Sequence, residues 1–261
     1  MTNVPQTVIG VPGRWIDRAD IVTSIATRSD GYLFAGTQMM KAGSRDGFTV
    51  DVYEHDPNMV EAFSIAGHRR LTDSDLEAIA SHTFTLYLVA DGGSVEAAMN
   101  LLHGAHAVLK AGGIAVKIES SGTAHRADQW AGYCDRGDLP SLLQAFVAYL
   151  SGDGICYSCG MHNLGFRDAV VEADIPIGEA AKLVNMFLKY ILIENLTIED
   201  GETFSVDENS SPYRLFREDC TMYPADDLFY NPVWPLENSA RLGASHTFLF
   251  CGSAASGSNW A

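Results

Sequence analysis

The chain has 261 residues, enough for one large core or for two half-size units, and its composition of 47% hydrophobic and 19% charged residues is that of a globular protein. Its formal net charge is −16, from 33 acidic and 17 basic residues. Such a field disfavours nucleic acid and anionic membranes as partners, and it favours a basic protein or a cation.

The first part of the chain alternates between strands and helices. Apolar runs or two-residue alternation predict strands at residues 7–11, 32–40, 48–53 and 83–90. A helix is predicted after Asp17, another after Asp56, and a third from Thr72, which with Asp75 resembles a capping box. This β-α-β-β-α-β order is that of ferredoxin-like, split βαβ folds.

The elements at 94–119 add a further βαβ crossover to the first unit, and those after residue 122 predict a second mixed unit. Helices are expected at residues 94–111, 126–134, 139–150 and 177–194, and strands at 114–119, 155–161, 169–172, 203–206 and 213–216. We therefore predict an α+β fold of two ferredoxin-like halves with antiparallel or mixed sheets, residues 1–122 and 123–235, the second packed on the first. Residues 236–261, which end in a Ser/Gly-rich stretch, are predicted to form an irregular C-terminal tail.

The segment from Cys156 to Gly165 is the richest local supply of ligands and nucleophiles. Its Cys-x2-Cys-x2-His spacing resembles half of a zinc site, but the sequence offers no second Cys/His cluster. In a strand, Cys156 and Cys159 would point to opposite faces, and a Cys-x-x-Cys in mid-strand lacks the helix start that activates a redox thiol. We therefore predict no metal site and no cofactor, and we keep Cys159 as a candidate ligand-binding residue.

Two loops hold the candidate site residues. Glu119 and His125 flank a small, polar stretch between a predicted strand and a helix that contains Trp130. His162 and Asn163 follow another predicted strand, where loops commonly carry functional side chains. Either histidine could act as a general base with Glu119 orienting it, while Asn163 and Trp130 would bind the ligand.

Both loops also have a structural interpretation. Ser121 or Thr123 could cap the helix that follows, and His162 and Asn163 could form a turn with Gly165. Five scattered cysteines indicate reduced thiols rather than a disulfide scaffold. Without a secretory signal pattern or an apolar run of bilayer length, the expected location is the cytoplasm.

Several phrases carry a resemblance to a known family. They are GYLFAG at 31–36, AH at 124–125 before Trp130, YSCGMHNLG at 157–165, DGETFS at 200–205, and the stretch 223–232. Together they resemble the bacterial domain-of-unknown-function 4261 family over most of residues 8–235. The resemblance implies a bacterial α+β protein and assigns no catalytic roles.

Two functions are open at this point. The first is a non-catalytic binding protein that engages a basic protein partner, as immunity-type proteins do, because the chain is acidic and has no complete catalytic motif. The second is an enzyme or small-molecule-binding protein with a pocket between the two halves. That pocket would use Glu119, His125 and His162.

Overall fold

The computed structural model describes residues 5–44, 47–68, 70–152, 154–172 and 175–239. Over these residues the chain forms one seven-stranded and one six-stranded sheet, together with seven α-helices and a 3₁₀ helix. The predicted α+β class is confirmed. In the same residues, no helix is both long enough and apolar enough to cross a membrane.

The first sheet is antiparallel throughout, with the strand order β2-β3-β4-β5-β1-β6-β7. Its strands are β1 (Gln6–Gly13), β2 (Tyr32–Ala35), β3 (Gln38–Lys41), β4 (Gly47–Glu54), β5 (Phe84–Asp91), β6 (Ala115–Ile118) and β7 (Thr123–Arg126). The helices of this part are α1 (Arg18–Arg28), α2 (Met59–Ala66), α3 (Asp73–Ala80) and α4 (Val95–Lys110). Asp17 caps α1, and Thr72 with Asp75 forms the predicted capping box of α3.

The second sheet is mixed, because β10 and β13 run parallel while its other pairs are antiparallel. Its strands are β8 (Ala148–Gly152), β9 (Ile155–Cys159), β10 (Asp168–Glu172), β11 (Thr203–Phe204), β12 (Tyr213–Leu215) and β13 (Val233–Asn238), in the order β11-β12-β13-β10-β9-β8. The helices in this part of the chain are α5 (Ala127–Arg136), α6 (Leu139–Phe146), the 3₁₀ helix Met161–Leu164 and α7 (Ile177–Ile193).

The two ferredoxin-like halves are not confirmed. In the first sheet, the four strands β4-β5-β1-β6 have the split βαβ order, with α1 following β1 and α4 following β5. This arrangement includes α4 and β6 and therefore extends beyond residue 90. The predicted strand 32–40 is instead the β2–β3 hairpin, because Gly36 turns the chain at a φ of +60°. The predicted division after residue 122 falls in the turn of the β6–β7 hairpin.

Two further predictions about elements are wrong. The helix expected over 139–150 ends at Phe146, because Val147 is extended and the chain enters β8, whose Ala148 pairs with Cys159. The expected tail at 236–261 begins inside β13, where Leu236 is buried and pairs with Leu215. The rest of that predicted tail, residues 240–261, lies outside the described residues.

The main core lies between the two sheets. Helix α4 packs on β1 and β5, α7 packs on β9 and β10, and α6 contacts both helices. One continuous cluster of buried apolar side chains joins these layers. A smaller cluster lies on the opposite face of the first sheet, where α2 and α3 cover Ala115 and Ala124. The first sheet therefore has one fully covered face and one that is covered at one end only.

Candidate functional site

Asn163 is a fully buried connector rather than an exposed ligand group. Its side-chain oxygen accepts hydrogen bonds from the hydroxyls of Thr7 (2.8 Å) and Ser120 (2.7 Å), and its amide donates to the Gly160 carbonyl (2.9 Å). Thr7 belongs to the first sheet, so this side chain ties that sheet to the loop after β9. Both polar atoms of the Asn163 side chain are therefore engaged by the protein itself.

Asp168 is a buried carboxylate that the sequence analysis missed. It accepts hydrogen bonds from the Ser158 hydroxyl (2.7 Å), the Asn231 amide (2.7 Å) and the backbone N–H groups of Gly160 (3.3 Å) and Met161 (3.2 Å). Burial raises the pKa of Asp168 to about 6, and these hydrogen bonds partly offset that effect. Four donors around one carboxylate fix the turn from β9 into the 3₁₀ helix.

His125 lies in the core with Trp130. Its side chain is 0% exposed, its Nε2 is 2.9 Å from the Ala145 carbonyl oxygen, and its ring centroid lies 5.6 Å from that of Trp130. The Trp130 indole donates to the Leu102 carbonyl inside the same core. Burial lowers the pKa of His125 to about 4. Neither side chain is available to a substrate from solvent.

His162 and Cys159 are also buried. His162 is 6% exposed, and neither of its ring nitrogens has a hydrogen-bond partner among the described residues. Burial lowers the pKa of His162 to about 4. Burial, aided by Asp168 and Cys220, raises the pKa of Cys159 well above its usual range, so this thiol stays neutral. A neutral thiol is neither a good nucleophile nor a metal ligand.

Glu119 lies on the other face of the first sheet from His125. His125 is paired with Val116 in the β6–β7 ladder, and Val116 points into the main core. The Glu119 carboxylate instead forms an ion pair with Lys117 and approaches Tyr87, on the face away from that core. The structure therefore brings His125 and Trp130 together, but it does not form the predicted Glu119–His125 pair.

Strand alternation defines a partly open face of the first sheet. Ile9 on β1, Val50 on β4 and Leu88 on β5 point into the main core. Because side chains alternate along a strand, the residues next to each of these point away from that core. Outward residues of β1, β4 and β5, together with the end of β4 and the segment that leads into α2, line a groove of about 790 Å³. The lining residues are Gln6, Val8, Asp51, Tyr53, Glu54, His55, Asp56, Pro57, Met59, Thr85, Tyr87 and Val89.

Two tyrosines form the aromatic part of the groove. The rings of Tyr53 and Tyr87 meet edge to face, with centroids 5.5 Å apart and planes at 85°, and Tyr53 is 59% exposed. Tyr87 lies over Gly10 of β1, where a Cβ atom would be 3.0 Å from the ring and 3.2 Å from a Glu119 oxygen. A glycine at this position therefore lets the ring cross the neighbouring strand and approach a carboxylate.

The groove is acidic. Asp51, Glu54 and Asp56 line it, and no lysine or arginine occurs among the lining residues that the structure describes. Burial and the nearby Glu119 and Asp56 raise the pKa of Tyr87 above its usual range, so its phenol stays neutral. The groove therefore combines aromatic rings with acidic side chains, a combination that suits a cationic group.

Two details shape the inner end of the groove. Thr85 is 1% exposed, and its Oγ1 has no hydrogen-bond partner in the described part of the chain. His82 Nε2 accepts a hydrogen bond from the Asp56 backbone N–H (3.0 Å), and the His82 carbonyl oxygen lies 2.9 Å from His55 Nδ1. These contacts hold the loop that carries Asp56 and leave one buried hydroxyl unsatisfied beside it.

A second cleft of about 620 Å³ lies where the start of α4 meets β13 and the end of α7. The guanidinium groups of Arg167 and Arg217 both lie over the Trp234 ring, at 5.4 and 5.7 Å from its centroid. Arg217 also pairs with Glu199 (2.8 Å), so part of its charge is already neutralised. None of the predicted site residues lines this cleft.

These features define an α+β protein whose first sheet carries an acidic, aromatic groove on a partly open face. Within the described residues, no group of three or more His, Cys, Asp or Glu side chains is arranged to hold a metal ion. Comparison with protein-family models, with curated proteins and with solved structures gave no match.

Proposed function

We propose that this protein is a non-catalytic binding protein that engages a basic protein partner through the groove. The observation that carries the proposal is the pairing of two tyrosine rings with Asp51, Glu54 and Asp56 in a groove whose described lining has no basic side chain. A cation over a tyrosine face gains about 0.5–2 kcal/mol, and charge-assisted hydrogen bonds to carboxylates add to it.

The overall charge supports the same partner. A net charge of −16 attracts basic proteins at long range and raises their association rate, while it repels nucleic acid and anionic membranes. We further propose that the protein is cytoplasmic and bacterial, that it belongs to the family it resembles, and that it acts as immunity-type proteins do, by neutralising its partner.

The placement of the predicted catalytic residues favours binding over catalysis. A general base must reach the proton that it abstracts and must be held by its orienting group. His125 and His162 are buried and have low pKa values, and Glu119 lies on the opposite sheet face from His125. These contacts support structural roles for all three.

The test is calorimetric titration with a defined basic peptide of alternating lysine and arginine, at low and at high salt. The variant Asp51→Asn/Glu54→Gln should weaken binding about tenfold or more, because it removes two groove charges. The matched control, Glu208→Gln/Asp219→Asn, removes the same charges from exposed positions outside the groove. Equal weakening by both variants, or no binding at low salt, would count against the groove.

A second candidate function rests on the cleft at Trp234. The alternative of a small-molecule-binding protein with a pocket between the two sheets is supported by two arginines stacked on one indole at that junction. Such a pair suits a small carboxylate or phosphate. Citrate or phosphate should then raise the melting temperature of the native protein, and Arg167→Gln should abolish that increase. An unchanged melting temperature with both anions would remove this candidate.

A further inference from the structure

We infer that the side chain anchored in the groove is an arginine of the partner. This inference rests on the proposed function and specifies its ligand. Lysine and arginine carry the same charge, but they differ in shape, in hydration and in the number and direction of their donors. The groove has three features on which those differences act: its rings, its spread of acceptors and its unsatisfied hydroxyl.

The rings favour a planar cation. Tyr53 and Tyr87 stand at 85° to each other, so one ring presents its face where the other presents its edge. A guanidinium group can stack flat on an aromatic face, and it loses less hydration than an ammonium group when it does so. Because Tyr53 is largely exposed in the free protein, part of its surface is left for such a stack.

The acceptors are spread around the groove rather than gathered at one point. Asp51 and Glu54 lie on β4, whereas Asp56 lies in the loop that follows and Thr85 on the neighbouring strand β5. A guanidinium group carries five N–H donors in one plane and can reach several directions at once, whereas an ammonium group is a compact point charge. This distribution therefore matches arginine better.

The unsatisfied hydroxyl of Thr85 indicates that the guanidinium group of the partner's arginine binds at the inner end of the groove. Its hydroxyl is buried and has no hydrogen-bond partner among the residues that the structure describes, which costs about 1–3 kcal/mol in the free protein. The same residue lines the groove next to the start of α2 at Met59. A guanidinium N–H that donates to this oxygen would satisfy it, while the apolar stem of the arginine packs along Tyr87, the next outward residue of β5.

The experiment compares hexa-arginine with hexalysine, titrated into the full-length protein by calorimetry. We expect hexa-arginine to bind about tenfold more tightly than hexalysine. Thr85→Val should weaken hexa-arginine binding about three- to tenfold and leave hexalysine binding unchanged. Because the Thr85 hydroxyl has no partner to lose among the described residues and its burial is costly, this variant should raise the melting temperature slightly rather than lower it. The control Thr203→Val makes the same change at an exposed position in β11 and should alter neither affinity.

The outcomes separate this inference from the proposed function. Equal affinity for the two peptides, with both weakened by Asp51→Asn/Glu54→Gln, overturns the arginine anchor and supports the basic-partner groove. An arginine preference that Thr85→Val does not reduce overturns the assignment of Thr85 as the acceptor. Failure of both peptides to bind at low salt overturns the proposed function together with the anchor.

Discussion

At the scale of single residues, the buried polar groups of this protein hold the chain in place. Asn163 joins a hydroxyl of the first sheet to the loop after β9, and Asp168 gathers four donors around the turn that follows. Asn163 lies in the segment from Cys156 to Gly165 that the sequence marked as chemically richest, and Asp168 lies three residues after it. The polar side chains in this region satisfy buried backbone and hydroxyl groups. A dense run of polar residues in the sequence therefore did not mark a reactive site.

Replacing Asn163 tests its role as a connector. Asn163→Leu keeps the approximate size but leaves the Thr7 and Ser120 hydroxyls without this acceptor and removes the side-chain hydrogen bond to the Gly160 carbonyl, which keeps its bond from the backbone N–H of residue 163. We expect a loss of about 2–4 kcal/mol in the free energy of unfolding, measured with urea. The control Asn209→Leu, at an exposed position, should change stability by less than about 0.5 kcal/mol. A loss of similar size in both variants would contradict the role of Asn163.

The buried histidines predict sensitivity to acid. The pKa of His162 is about 4 in the folded protein and about 6.5 when unfolded, so the unfolded chain binds more protons between these values. Stability is therefore lost as the pH falls through that window. Asp168, whose pKa is raised to about 6, acts in the opposite direction, because its folded form binds the extra proton. His125 adds to the effect of His162, so the two histidines outweigh Asp168.

His162→Phe should reduce this sensitivity. The ring is retained, and no hydrogen bond is lost among the described residues because neither nitrogen has a partner there. We expect the difference in unfolding free energy between pH 7 and pH 5 to shrink by about 2 kcal/mol relative to wild type. Urea titrations at the two pH values measure it. An unchanged difference would mean that folding does not lower the pKa of His162.

At the scale of elements, the junction between β9 and the 3₁₀ helix depends on a glycine. Gly160 has a φ of +122°, and a Cβ there would lie 2.2 Å from the Phe146 carbonyl oxygen and 2.7 Å from the Ser121 Cβ. Gly160→Ala should therefore cost more than about 4 kcal/mol or prevent folding. The control Gly152→Ala, where no atom of the described residues lies within 4 Å of the added Cβ, should fold normally. Equal soluble yield and equal melting temperatures for the two variants would contradict this prediction.

Local signals in the sequence predicted most elements but not all of them. The capping box of α3, the cap of α1 and the long apolar side of α7 are local, and the structure contains all three elements. Strand β13 was missed because Pro235 argues against a strand, whereas in the fold Val233–Asn238 is held by both β10 and β12. Such pairings join distant parts of the chain, and one sequence does not reveal them.

The need for long-range pairing also explains why the predicted Glu119–His125 pair does not form. Glu119 and His125 are close in sequence, yet the β6–β7 turn places them on opposite faces of the sheet. The alternation of side chains along one strand does not predict which face the next strand presents when the shape of the turn is unknown. The groove was predictable in part, since alternation within residues 48–53 and 83–90 puts Tyr53 and Tyr87 among outward residues. That β4 and β5 are neighbours, which brings the two rings together, came only from the structure.

At the scale of the whole molecule, helices fill the space between two sheets and leave one face of the first sheet partly open. An antiparallel sheet tolerates such a face when its outward residues are polar or mixed. Here the outward residues combine carboxylates with tyrosine rings in a chain of net charge −16. Fold, charge and groove thus support the same class of partner.

The most direct test of this central claim is amide chemical-shift mapping of the full-length, isotope-labelled protein during titration with hexa-arginine. We predict saturable shifts concentrated in β4 and β5, around Asp51, Tyr53 and Tyr87, and absent from Asp51→Asn/Glu54→Gln at the same peptide concentration. Shifts spread evenly over acidic surface residues, or centred near Trp234 with none in β4 and β5, would contradict the groove as the binding site.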